Sequence, residues 1–169
     1  MRWSPFVLAS VCVLTIASAQ AIEAPKVSIS TLAQLQAPLP YPYDESANPN
    51  PAIAAAFERA TKSGKRVLID FGGNWCPDCR VLAGVMQLPE VKAFVGAHYE
   101  IVAVDVGRFD KNLDIVQRYG VTKLAGVPTV VIADASGKPV NVTNSAELAN
   151  AREMSPQGIA DWLARWAGK

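Results

Sequence analysis

"VLIDFGGNWCPDCR", residues 67–80, is the stretch on which the reading of this chain turns. Val67 to Phe71 form a nearly continuous apolar run, the pattern of a short strand buried on both faces in a sheet with helices on either side. Cys76 and Cys79 follow three positions apart, with Pro77 and Asp78 between them. Val81, Leu82, Val85 and Met86 then place an apolar stripe on a helix that begins at the pair. The two cysteines therefore stand where a buried strand ends and a helix starts.

Such a pair can hold a metal, lock a loop or exchange electrons. Structural zinc needs four ligands. Beyond the N-terminal segment the chain offers one cysteine pair and a single histidine, His98, which reads as an ordinary surface histidine. Copper(I) accepts two soft thiolates, so a copper carrier or other non-turnover binding module stands as the alternative. As a staple the pair is weak, because the loop it closes is tiny and little chain entropy is removed. Exchange chemistry fits the placement best. At a helix N-terminus, unpaired N–H groups and the helix dipole stabilise a Cys76 thiolate, the species that attacks disulfides. Cys79, one turn further in, is placed to attack the resulting mixed disulfide.

Working outward, Asn50 and Pro51 read as the cap and first residue of a helix carrying Ile53, Phe57 and Ala60 and closed by Gly64. After the cysteine helix, Pro89 restarts a short helix with Val91, Phe94 and Val95. "YEIVAVDV" reads as a second buried strand, and "DKNLDIVQRYG" as a helix closed by Gly120. "TVVIA", "DASG" and "KPVNV" read as strand, turn and strand. Ser155 and Pro156 open a last helix with Ile159, Trp162, Leu163 and Trp166 on one face. The expected fold class is α/β: a central mixed sheet flanked by helices, with parallel crossovers and an antiparallel terminal hairpin.

Residues 22–49 precede that domain, which spans 50–169. "APLPYPYDESANPNP" carries five prolines between Pro38 and Pro51 and no helical or strand period. It reads as an extended, semi-rigid arm on the domain surface, with Tyr41 and Tyr43 as anchors. Residues 1–21, "MRWSPFVLASVCVLTIASAQA", combine one positive charge, a short apolar stretch and small residues suited to cleavage. They read as a secretory signal peptide, with a retained membrane anchor as the alternative. Cys12 is discarded with it, and the mature chain is expected in an exported, periplasmic or secreted setting where disulfides persist. The 169 residues are 50% hydrophobic and 18% charged, with formal net charge +1. No run of like charge marks a nucleic-acid footprint or a polybasic membrane patch.

The stretch 67–80 resembles the active-site segment of the thioredoxin family: apolar strand, aspartate, tryptophan directly before the first cysteine, and the redox pair. "YGVTKLAGVPT", residues 119–129, is similar to that family's second signature. The resemblance implies a thioredoxin-like fold over roughly Asn50 to Lys169, and a thiol–disulfide oxidoreductase needing no metal or cofactor. It implies roles residue by residue: Cys76 as nucleophile, Cys79 as resolver, and Asp70 as buried proton relay beneath Cys79. Trp75, with Pro77 and Asp78, shapes the docking surface. Pro128 is the cis-proline against the pair, and Val127 offers its backbone to a bound substrate strand.

The sequence departs from the family pattern in several places. Pro77-Asp78 stands where ordinary thioredoxins carry Gly-Pro, and Gly72 and Gly73 replace bulkier residues. "EIVAVDV" has no lysine to pair with Asp70. Residues 142–154, "VTNSAELANAREM", form a longer link into the last helix and read as a surface helix bearing on partner choice. Asp78 supplies no positive charge and opposes a nearby thiolate, which favours the reducing direction; it is equally suited to stabilising a first helical turn. The expectation is a disulfide reductase for client proteins of the envelope, monomeric, with a membrane-embedded electron donor and no nucleic-acid partner.

Overall fold

The computed structural model describes residues 22–168; the expected signal peptide, residues 1–21, with Cys12, lies outside the described residues. The first strand, β1, runs Arg66–Gly72 at the centre of a three-stranded mixed sheet. It pairs in parallel with β2, Tyr99–Asp105, and antiparallel with β3, Thr129–Ala133. Both edges and both faces of β1 are thus covered, and this is why Val67, Leu68, Ile69 and Phe71 are all fully buried. Side chains alternate across the sheet. Val67, Ile69 and Phe71 enter one core cluster, shared with Ile53, Ala56 and Ala60 of α1 (Pro49–Ser63). Leu68 enters the other, shared with Leu82 and Val85 of α2 (Pro77–Met86) and Ile159, Trp162 and Leu163 of α5 (Pro156–Arg165).

Between these lie α3 (Pro89–His98) and α4 (Leu113–Arg118). The expected α/β class with a mixed sheet is what the chain adopts. Gly64 ends α1 at φ 72°, where its N–H reaches the Ala60 carbonyl at 2.8 Å. Ser155 caps α5 by accepting the Gly158 N–H at 3.0 Å. His98 is partly exposed, its ring 4.5 Å from that of Phe94.

Three sequence expectations need correction. The cap of α1 is Asn48, whose side chain accepts the Asn50 N–H, and Pro49 takes the first position. Two overlapping Asn-Pro steps fit the same rule, and the earlier one is used. The antiparallel neighbour of β1 is β3 itself, while "KPVNV" makes only an isolated bridge between Ala133 and Pro139. Asn141 takes the place of a strand there. Its buried carboxamide accepts the Ile132 N–H at 2.8 Å and donates to the Val130 carbonyl at 2.9 Å. Thirdly, residues 142–154 are not a surface helix. They form two short 3-10 segments, Val142–Asn144 and Glu147–Glu153, the latter packing fully buried Leu148 and Ala151 against α2 and the second core cluster.

The arm is the larger surprise. Gln157 of α5 accepts the Val27 N–H at 2.9 Å and donates to the Pro25 carbonyl at 3.1 Å. Ile22, Val27, Leu32, Leu35 and Leu39 pack against the second cluster. The chain then crosses α2, where Gly84 leaves room: a Cβ there would stand 3.1 Å from Leu39 and 3.4 Å from Leu35.

Asn141→Ala is expected to destabilise the protein by about 2–4 kcal/mol, because two buried backbone groups of β3 lose their partners together. Urea denaturation with an unchanged m-value checks this; a loss below about 0.5 kcal/mol would show that water replaces the carboxamide.

Candidate active site

β1 ends at Gly72, and four residues later Cys76 caps α2. The Cys76 N–H reaches back to the Gly73 carbonyl at 3.0 Å. Its sulfur accepts the Cys79 N–H at 3.2 Å and donates to the Val127 carbonyl at 3.3 Å. Both cysteines are free thiols and buried, Cys79 completely. Their environments differ. A hydrogen bond from the Cys79 thiol, helped by the Cys79 N–H, holds Cys76 below the ordinary thiol range, against burial and the Asp78 charge. The same hydrogen bond, with burial and Asp70 nearby, pushes Cys79 far above that range. One sulfur is prepared to ionise and the other to keep its proton.

The remaining expected residues surround the pair. The Val127–Pro128 peptide is cis, and both residues are buried. Trp75 is 38% exposed; its Nε1 donates to the Gly107 carbonyl at 2.7 Å, and Phe109 meets its ring edge-on at 5.9 Å. The Arg108 guanidinium lies 4.8 Å from the Trp75 ring centroid. Pro77 is exposed at the first position of α2. Asp78 is buried, and Arg152 takes both its oxygens: the backbone N–H reaches Oδ1 at 2.9 Å and Nε reaches Oδ2 at 3.1 Å. Asp78 is therefore no bare charge beside a sulfur. It is one half of an ion pair whose other half comes from the 142–154 link.

Asp70 lies beneath the pair, on the same face of β1 as Leu68 and Gly72. It is 1% exposed, and burial pushes its carboxyl up to about 7. Its partner is a residue that sequence reasoning placed only as a surface anchor. Tyr43 of the arm is buried, and its hydroxyl donates to Asp70 Oδ2 at 2.9 Å. Asp70 Oδ1 has no hydrogen-bond partner among the described residues. Of the two tyrosines, Tyr41 stays outside, its ring 4.0 Å beneath the Arg80 guanidinium.

Two residues flanking the cysteines grip the arm. Asn74 accepts the Tyr43 N–H at 3.1 Å and donates to the Tyr43 carbonyl at 2.8 Å. Arg80 donates to the Leu39 carbonyl at 2.8 Å and the Pro40 carbonyl at 3.2 Å. Gly72 supplies the space. A Cβ there would overlap the Tyr43 hydroxyl and stand 2.8 Å from Cys79 Sγ. The glycine noted as a departure was the available signal: a small residue at the end of a buried strand marks something bulky that arrives from elsewhere.

A family model described as thioredoxin-like matches residues 48–135. The thioredoxin of Alicyclobacillus acidocaldarius subsp. acidocaldarius is 31% identical over 86 residues, covering 51% of this chain and 73% of that protein. That of Listeria monocytogenes serovar 1/2a is 36% identical over 78 residues, covering 46% of this chain and 67% of that protein. Among solved structures, the disulphide isomerase from Xylella fastidiosa Temecula1 is similar at TM-score 0.71 and 41% identity, covering 75% of this chain and 97% of that chain. With the strand, the helix-capping cysteine pair and the cis-proline in place, the chain belongs to the thioredoxin-like family.

Proposed function

We propose that the protein is a thiol–disulfide oxidoreductase, working as a disulfide reductase on exported proteins of the envelope. The observation that carries this reading is the unequal pair: Cys76 held below the ordinary thiol range at the tip of α2, Cys79 held above it one turn behind. In the first step the Cys76 thiolate attacks a client disulfide. A Cys76–client bond forms, the client S–S bond breaks, and the departing client sulfur takes the electron pair. Cys79 then loses its proton and attacks Cys76 Sγ. The Cys76–Cys79 disulfide forms, the mixed disulfide breaks, and the client leaves with both sulfurs reduced.

Asp70 accepts the Cys79 proton; a carboxyl poised at about 7 is suited to take it up at neutral pH. Trp75 and Pro77 face the docking client, the buried Asp78 fastens the rim beside them through Arg152, and Val127 with Pro128 receives the client backbone as an added strand. Re-reduction requires two electrons from a donor, which for an exported, monomeric protein is a membrane-embedded dithiol carrier. Asp78 supports the reducing direction. Its charge raises the Cys76 thiol and stabilises no thiolate.

A second reading has one observation behind it: the 41% identical structure is that of a disulphide isomerase. Isomerisation shares the first step, but a client thiol, not Cys79, resolves the mixed disulfide.

Cys76→Ser is expected to abolish reduction of insulin. Cys79→Ala should accumulate mixed disulfides with exported proteins; a Cys79→Ala variant that still reactivates scrambled ribonuclease at the wild-type rate would select isomerisation instead. Equilibration with glutathione should place the potential of the pair well below the strong-oxidant range, and a value near about −120 mV would sink the reductase direction.

Asp70 also gives a pH signature in the dithiol form. Its folded pKa of about 7 exceeds the ordinary 3.8, so the folded state holds the extra proton between those values. Stability from this group is full below pH 4, falls as pH rises through 7, and is flat above. Asp70→Asn removes the effect. Its stability gain over wild type should therefore grow from pH 4 to pH 7, reaching on the order of 4 kcal/mol at about 1.4 kcal/mol per unit. Urea titrations at pH 4.5 and 8 read the difference, and parallel pH dependences would show that Asp70 does not titrate there.

A further inference from the structure

Tyr43 stands apart from the rest of the arm. It is buried beside the two groups between which a proton must pass, while the adjacent arm residues lie further out. Its hydroxyl donates to Asp70 Oδ2 at 2.9 Å, and a Cβ built on Gly72 would meet both that hydroxyl and Cys79 Sγ, so oxygen and sulfur flank one point. Nothing about ring packing requires the ring to end in a hydroxyl at this place. Nor does packing require Asn74 to clasp both the N–H and the carbonyl of Tyr43 from within the active-site loop.

We propose that the arm supplies a working part of the active site: Tyr43 is the hydroxyl through which the Cys79 proton reaches Asp70 during resolution of the mixed disulfide. The inference rests on the exchange reading above and deepens it. As Cys79 Sγ attacks Cys76 Sγ, the Cys79 proton passes to the Tyr43 oxygen while the Tyr43 proton passes to Asp70 Oδ2. The Cys76–Cys79 bond forms, the Cys76–client bond breaks, and the client sulfur departs with the electron pair. Tyr43 ends as it began, and Asp70 ends protonated. Burial, with the nearby Asp70 and Cys79, keeps Tyr43 far above its ordinary phenol range, so it acts as a hydroxyl throughout and never as a phenolate. The ionisable groups around this path are Tyr43 from the arm, Cys76 and Cys79 from α2, and Asp105 at the end of β2, which Lys111 pairs at 3.4 Å.

The test uses 5,5′-dithiobis(2-nitrobenzoate) and the reduced full-length mature chain in stopped flow. The first thionitrobenzoate released reports attack by Cys76, and the second reports resolution by Cys79. Tyr43→Phe keeps the ring and should leave the first release within about twofold of wild type. It should slow the second at least tenfold, the low end of what acid–base assistance contributes. The wild-type second-phase rate should level off above the titration of Asp70, whereas in Tyr43→Phe it should keep climbing with pH as the thiol loses its proton to solvent. The Tyr43→Phe/Asp70→Asn double variant should be no slower than either single one, because both interrupt one path. Tyr41→Phe, in the exposed part of the arm, should match wild type.

A Tyr43→Phe second phase with wild-type rate and pH profile overturns the proposal. So does slowing that is equal at every pH and additive with Asp70→Asn, which is the signature of mere packing. Should Tyr43→Phe not fold, Asn74→Ala decides. It loosens the clasp and spares the ring, and it must slow the second release and not the first. A wild-type protein that releases no first equivalent refutes the exchange reading itself, and this inference falls with it.

Discussion

The hydrogen bond from Tyr43 to Asp70 joins two parts of the chain that sequence reading separates, and much of the site is built around it. A carboxyl at the centre of a sheet is costly unless a donor meets it. Here the donor comes from 27 residues upstream, on an arm with almost no regular structure. To seat that hydroxyl, the strand ends in Gly72, the loop carries Asn74 to hold the Tyr43 backbone, and α2 carries Arg80 and Gly84 to hold the approach. These positions are spread through the same segment that carries the cysteines. The arm and the redox loop are thus one structural unit, although the family match covers only residues 48–135.

The same burial organises the two sulfurs. Cys76 sits at the mouth of α2, where N–H groups converge on it and the Val127 carbonyl accepts its proton. Cys79 lies deeper, where burial and the nearby Asp70 carboxyl disfavour a negative charge on its sulfur. The difference in ionisation therefore follows from depth along one helical turn and from what stands behind it. Little of it depends on the residue types between the cysteines. The fold itself thus makes the two sulfurs unequal, with Cys76 the readier to ionise.

How much of this was legible beforehand varied with the range of the interaction. β1, α2 and the position of the pair between them follow from local pattern, because an apolar run and a helical stripe reveal themselves within the 20 residues from Val67 to Met86. The α5 cap at Ser155 was equally local. Apart from the start of α1, where two overlapping Asn-Pro steps fit one local rule, the failures were long-range. Nothing in "KPVNV" announces that Asn141 would stand in for a strand by serving Ile132 and Val130 with its side chain. The extra length of 142–154 suggested a surface helix, yet Leu148 and Ala151 are fully buried because they cover α2. The proline-rich arm carried no period to read, and its one decisive side chain differs from Tyr41 only in which way the backbone turns it.

Asp78 shows how a correct local inference changes meaning in three dimensions. Its charge does oppose the Cys76 thiolate, as its position between the cysteines implies, but it ranks behind the hydrogen bonds from Cys79 and behind burial. Arg152 covers both its oxygens. An acid in the first turn of a helix is stabilising on its own account, and this one also fastens the 142–154 link to the rim of the site. The carboxylate's effect on the sulfur is thereby set by a residue 74 positions away. With its charge shared in this way, Asp78 opposes the Cys76 thiolate without dominating it. The larger control over Cys76 lies in the proton that Cys79 keeps, and so in the buried carboxyl and hydroxyl that stand behind it.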